Sequence, residues 1–239
     1  VFGGVHPVVW PTGGVSGGGP LCRMRTRLTP APGLAKPSTR RAARLFLGLT
    51  LCGLGIAVMV VADLGLGPWD VLHQGLSRRS GVPIGTMGIL VGFVVLSGWL
   101  PLRERPGVGT LANVLWIGIV IDVVLLVLPR PEPLALRIAF MAAGPVLFGV
   151  GSGFYIGVHL GPGPRDGLMT GLARRGWPVG RVRTGIELVV LVLGWLLGGT
   201  VGVGTVLFAL TVGPVVAWSL ARLDVPVDPD QRQRSASTG

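Results

Sequence analysis

The residues best placed to do chemistry are two aspartates behind Gly-Pro turns. Asp70 stands in Leu64-Gly65-Leu66-Gly67-Pro68-Trp69-Asp70-Val71-Leu72, and Asp166 stands in Leu160-Gly161-Pro162-Gly163-Pro164-Arg165-Asp166-Gly167-Leu168. Both stretches read Leu-Gly-x-Gly-Pro-x-Asp-x-Leu, and each follows an apolar run. Proline suits the first helical position, where its missing N–H would have had no partner. The aspartate then falls in the first turn, facing the positive end of the helix dipole. Free N–H groups and a carboxylate at a helix start can bind or gate a small charged or polar ligand. Gly67, Pro68, Asp70, Gly163, Pro164 and Asp166 are therefore candidate binding residues, joined by Arg165, which stands where the first copy has Trp69. The plainer reading is that each aspartate only caps its own helix.

Other polar groups are sparse. Asp122 lies between apolar neighbours in Ile121-Asp122-Val123, where a charge costs roughly 2.5–3.5 kcal/mol on membrane-insertion scales. It is expected to face the protein interior, either as a proton or cation site or paired with Asn113 or an arginine. His73 follows Asp70 by one helical step, which allows a proton relay or simply an interfacial histidine. Glu187 lies four residues after Arg183, the spacing of a surface ion pair. Asp63 and His159 each precede a Leu-Gly and are expected at a cavity mouth or the water boundary. Cys22 and Cys52 make no redox or metal motif, and the three histidines are scattered. No nucleophile elbow, zinc-protease or phosphate-loop motif occurs, so neither an enzyme nor a cofactor or metal is expected.

The elements carrying these residues are apolar. Of 239 residues, 49% are hydrophobic and 13% charged, with mean hydropathy +0.68. Soluble domains carry about 25% charged residues, and several runs here are long enough to cross a bilayer. The net charge of +11 comes from arginines at the ends of those runs. That pattern reads as membrane orientation, not nucleic-acid binding. Residues 1–40 are expected to be a disordered tail, with Met24 an alternative start to Val1, and residues 223–239 a second tail. Spans are expected at about Ala42–Asp63, Ile84–Leu100, Gly107–Leu128, Leu136–His159, Val179–Leu197 and Gly202–Leu220. Short helices at Pro68–Arg79 and Pro164–Arg175 are too brief to cross comfortably.

The chain repeats itself. Gly48, Gly53 and Gly55 match Gly144, Gly149 and Gly151, and the motif residues match at the same offset. Pro83 and Gly85 match Pro178 and Gly180, and Gly107-Val108-Gly109-Thr110 matches Gly202-Val203-Gly204-Thr205. Gly118 matches Gly213, whereas Asp122 falls opposite Ala217. The expected fold is all-α: about six transmembrane helices in two three-helix repeats, residues 41–129 and 130–222. Each repeat carries a re-entrant or interfacial helix after its first span. Three spans per repeat make an inverted pair; if the short helices also crossed, eight spans and parallel halves would result. Arg40, Arg41 and Arg44 favour a cytoplasmic N-terminus.

The first motif, the Gly-Val-Gly-Thr starts and Asn113…Gly118…Asp122 resemble the bacterial YczE-like membrane proteins, grouped with the YitT and YyaS proteins. The similarity covers about Leu45–Leu220. It implies an integral membrane protein of the bacterial cell membrane and no particular substrate. Two functions remain open: a small secondary transporter or exporter of a small molecule, or an accessory that supports a membrane-protein partner or assembles with its own copies.

Overall fold

The computed structural model describes residues 39–102 and 106–223, and all regular structure among them is helical. The expected tails lie outside the described residues, save Thr39, Arg40 and Leu223. The described residues form nine helices in order: α1 Thr39–Ala62, α2 Pro68–Ser80, α3 Ile84–Ser97, α4 Trp99–Leu102, α5 Val108–Val127, α6 Leu134–Ile156, α7 Pro164–Ala173, α8 Val179–Leu196 and α9 Val203–Leu223. Among the described residues, five stretches have the length and hydropathy of a membrane crossing: α1, α3 with α4, α5, α6 and α9. Six were expected. The remaining candidate, α8, carries Arg181, Arg183 and Glu187 in its first half, which lowers its apolar character. Large side chains such as Val94, Leu126 and Leu210 stand exposed on the long helices, as lipid-facing residues do.

Helix α1 is the most enclosed of the long helices. It packs on α6 through backbone, because glycines on both sides remove the side chains that would hold the helices apart. Gly48 lies against the Gly151 carbonyl and Gly151 against that of Gly48; Gly55 and Gly144 meet the same way. Residue numbers fall along one helix as they rise along the other, so α1 and α6 run antiparallel. The pairing is also reciprocal: Gly48 and Gly55 each touch the sequence match of the other. Helix α5 leans on α1 where Val120 fills the space at Gly53. Helix α9 leans on α6, where Val215 and Ser219 fill the spaces at Gly149 and Gly153.

The turns after α1 and α6 bend alike. Asp63 and His159 adopt left-handed backbone (φ 48° and 55°), and Gly65 and Gly161 follow at φ 121° and 130°. Aspartate tolerates that region better than most residues, and glycine enters it freely. Each turn is then held by a distant Gly-Val-Gly-Thr segment. The Gly204 N–H donates to the Leu64 carbonyl at 2.8 Å, and the Gly109 N–H donates to the Leu160 carbonyl at 2.9 Å. Thr110 Oγ1 also donates to the Pro162 carbonyl at 2.7 Å. Any side chain at Gly107, Gly109, Gly202 or Gly204 would strike these turns.

One end of the bundle is tied by Asp63. Arg130 lies 2.7 Å from its carboxylate, with Arg78 at 3.8 Å and Arg137 at 4.0 Å. Arg137 donates to the carbonyls of Ala62 and Asp63, and Thr200 Oγ1 donates to Asp63 Oδ1. At the opposite end Arg175 donates to the Pro101 carbonyl.

The packing gives a direct comparison. A valine at Gly55 would meet backbone of α6, which cannot yield cheaply, and overpacking of this kind costs about 1–3 kcal/mol. Gly185 faces open space on α8. We expect Gly55→Val to lower the midpoint of detergent-to-SDS unfolding and Gly185→Ala to leave it unchanged or raise it slightly.

Candidate functional site

Helices α2 and α7 begin identically. Gly67 (φ −61°, ψ 153°) and Gly163 (φ −61°, ψ 157°) are extended N-cap residues, each followed by proline at the first helical position. The two starts meet. Arg165, in the first turn of α7, places Nη2 3.7 Å from Asp70 Oδ1 in the first turn of α2. Its guanidinium carbon stands 5.0 Å from the centre of the Trp69 ring, within cation–π range. Trp69 and Arg165 occupy the same position in the two motifs, so matched residues touch one another.

Asp70 is 3% exposed. His73 Nδ1 lies 3.6 Å from the same Oδ1. Neither neighbour comes close enough to donate a hydrogen bond, and Asp70 Oδ1 is buried without a hydrogen-bond partner. The same holds for the indole N–H of buried Trp69. An acceptor, a donor and an arginine, all short of partners or shared loosely, thus sit together where two helices start. Buried polar groups usually find partners, so this spot differs from an ordinary core.

Asp166 is placed otherwise. It accepts a hydrogen bond from the Tyr155 hydroxyl at 3.2 Å and another from the Gly163 N–H. It caps its own helix as the plainer reading held, with Tyr155 of α6 added. The Asn113 amide lies beside Gly163, near this second carboxylate and not paired with Asp122. Asp122 belongs to another place. It accepts from the backbone N–H of Gly85 (2.6 Å) and Thr86 (2.7 Å) and from Thr86 Oγ1 (2.7 Å). Its partner is the start of α3, where free N–H groups and the dipole favour a carboxylate. Glu187 accepts from Arg183 at 3.0 Å on the surface.

Two contributors, Tyr155 and Trp99, escape a reading of the motifs alone. Tyr155 is the sole tyrosine of the chain, but only packing brings it to Asp166. Trp99 of α4 donates its indole N–H to the Pro164 carbonyl at 3.0 Å, filling the space that Gly167 leaves. Arg165 was legible as a departure from the first motif, and its contact with Asp70 was not.

A crevice of about 290 Å³ opens between α8 and α9. Thr184, Glu187 and Leu191 line one wall, Thr205, Val206 and Ala209 the other, and Pro68 lines it as well. Among the described residues no cluster of histidine, cysteine and acidic side chains could hold a metal ion.

Long apolar helices enclosing two broken ones that meet start to start define a multi-pass helical membrane protein. The chain belongs to the family of unknown function DUF6198, whose model matches residues 39–220. It is 40% identical over 177 residues to an uncharacterized protein of Haemophilus influenzae, covering 74% of this chain and 81% of that one. It is 36% identical over 179 residues to the uncharacterized membrane protein YczE of Bacillus subtilis, covering 73% and 83%. The uncharacterized protein YyaS of the same organism is 28% identical over 168 residues, covering 67% and 83%. These relatives bear out the resemblance read from the motifs. No solved structure matches.

Two substitutions test the site's electrostatics. Removing the cation beside a buried carboxylate leaves an uncompensated charge, which costs about 3–5 kcal/mol when fully buried and less where the cation is partly wet, as here. Arg165→Met should therefore destabilise the protein, and adding Asp70→Asn should restore most of the loss in a double-mutant cycle of unfolding midpoints. Asp122→Ala removes three acceptor contacts, each worth roughly 1.5–3 kcal/mol when one partner is charged. Hydrogen exchange at the Gly85 and Thr86 amides should rise.

Proposed function

We propose that the protein is a small secondary transporter whose substrate binds where α2 and α7 begin. In this reading the chain crosses the bilayer six times, α8 included, as two inverted three-helix repeats. Helices α2 and α7 are half-helices entering from opposite faces. The antiparallel, reciprocal glycine contacts of α1 with α6 favour inverted over parallel halves. Arg78 hydrogen-bonds at the end of the bundle where Asp63 lies and Arg175 at the other, which supports opposite entry. With the N-terminus inside, Asp63 and its arginines face outward. Discontinuous helices meeting at mid-bilayer are a recurrent architecture for substrate sites.

The observation that carries the reading is the pair of unpartnered buried groups, Asp70 Oδ1 and Trp69 Nε1, beside Arg165. A small polar molecule with a donor for Asp70 and an acceptor for Trp69 and Arg165 matches them best. His73 and Asp166 complete the surroundings, and no bond-making chemistry is assigned to them. The accessory reading instead requires no flux and a stably co-purifying membrane protein.

The test uses proteoliposomes holding a pH-sensitive dye, challenged in turn with amino acids, small organic acids and amines. One class should produce a signal that Asp70→Asn or Arg165→Gln removes. Flux that persisted with Asp70→Asn, Asp166→Asn and Asp122→Asn combined would overturn the assignment.

A further inference from the structure

The two halves differ at one seam. In the first, α3 packs tightly on α5: Gly85 and Gly118 press backbone to backbone, Val114 fills the space at Gly92, and Asp122 holds the start of α3. In the second, the matching helices are α8 and α9. Their matching glycines, Gly180 and Gly213, have nothing near the position a Cβ would take. Ala217 replaces the carboxylate that would hold α8, and Ala209, the match of buried Val114, is exposed on the crevice.

Glycine inside a helix is unfavourable by about 1 kcal/mol against alanine, so its presence asks for a close approach. Gly85 and Gly118 make theirs. Gly180 and Gly213 do not, although they stand at the positions that would. Gly85 and Asp122 set the closed seam toward the bundle end where Asp63 sits, whereas Gly180, five residues after Arg175, sets the open start of α8 toward the opposite end; the crevice runs from there along residues 184–191 and the first turns of α9. Both seams flank the meeting point of α2 and α7, and Pro68 lies on the crevice.

We infer that the chain has a second state, in which α8 closes on α9 through Gly180 and Gly213 while α3 parts from α5, so that access to the Asp70–Arg165 site passes from one end of the bundle to the other. This inference rests on the two-half reading and deepens the transport proposal by naming its gates. Asp122 is the latch of the first gate. The second has no latch, and closing it carries Glu187, the match of Gly92, into the seam with its partner Arg183. Burying that pair is costly, which holds the crevice open in the state described here.

The experiment reads thiol reactivity and needs no substrate. In purified full-length protein carrying Cys22→Ser and Cys52→Ala, single thiols are introduced by Ala209→Cys or Val114→Cys, and their rates with N-ethylmaleimide are measured. Both thiols should react, Ala209→Cys faster. Gly213→Leu fills open space without disturbing this state but blocks closure. It should slow Val114→Cys by about tenfold and leave Ala209→Cys as fast or faster. Asp122→Ala should do the reverse, raising Val114→Cys and slowing Ala209→Cys. A Val114→Cys rate that is the same with and without Gly213→Leu would overturn the inference, whether or not Asp122→Ala folds. Reciprocal labelling without flux would keep the gates and remove transport; flux without reciprocal labelling would remove the gates alone.

Discussion

A peptide group in hydrocarbon must find its hydrogen bond within the protein, and this constraint shapes the whole fold. The chain leaves helical form at Leu64–Gly67 and at Leu160–Gly163, amid long apolar helices. Both segments are met by a Gly-Val-Gly-Thr stretch from far along the sequence, through Gly204 to Leu64 and Gly109 to Leu160. The glycines of those stretches admit the turns, and the threonines tie down the helix starts. Each turn is thereby tied to a distant stretch of the chain through backbone groups.

That arrangement fixes where the charges go. Holding the two turns in place brings Pro68 and Pro164 to the starts of helices whose first turns face one another. Their first-turn residues then determine the character of the meeting point. Were it strictly symmetric, two tryptophans or two arginines would collide there. Trp69 against Arg165 resolves this by a cation–π contact and leaves Arg165 within reach of Asp70. The carboxylates diverge for the same reason: Asp166 is satisfied by Tyr155 and its own helix, and Asp70 is held loosely between His73 and Arg165.

Much of this was legible in sequence because the determinants are local. The Gly-Pro starts and the helix breaks at Gly81 and Gly176 follow from single residues' backbone preferences, the long helices follow from runs of apolar side chains, and the helices fall within a few residues of expectation. Composition and the motif resemblance carried the membrane assignment, which the YczE relative supports. What sequence could not supply was direction and partner. Asp122 was read as an interior acid, either a proton or cation site or half of a pair with Asn113 or an arginine, because its apolar neighbours were visible and the start of α3, distant in the chain, was not. Asp63 was read as a cavity-mouth or water-boundary residue, and the sequence did not show that it gathers arginines from α2, from α6 and from the segment between α5 and α6. The difference between the α3–α5 and α8–α9 seams was hinted at by Ala217 opposite Asp122, and only packing reveals its consequence.

The central claim is that α2 and α7 begin against each other inside the bundle. Paired cysteines measure this most directly: Trp69→Cys with Arg165→Cys, in protein carrying Cys22→Ser and Cys52→Ala, treated in membranes with a short bifunctional thiol reagent. The account predicts rapid internal cross-linking in unboiled monomer, and none when Trp69→Cys is paired with a cysteine at Trp177 beyond the end of α7. Equal or absent cross-linking in both pairs would contradict it.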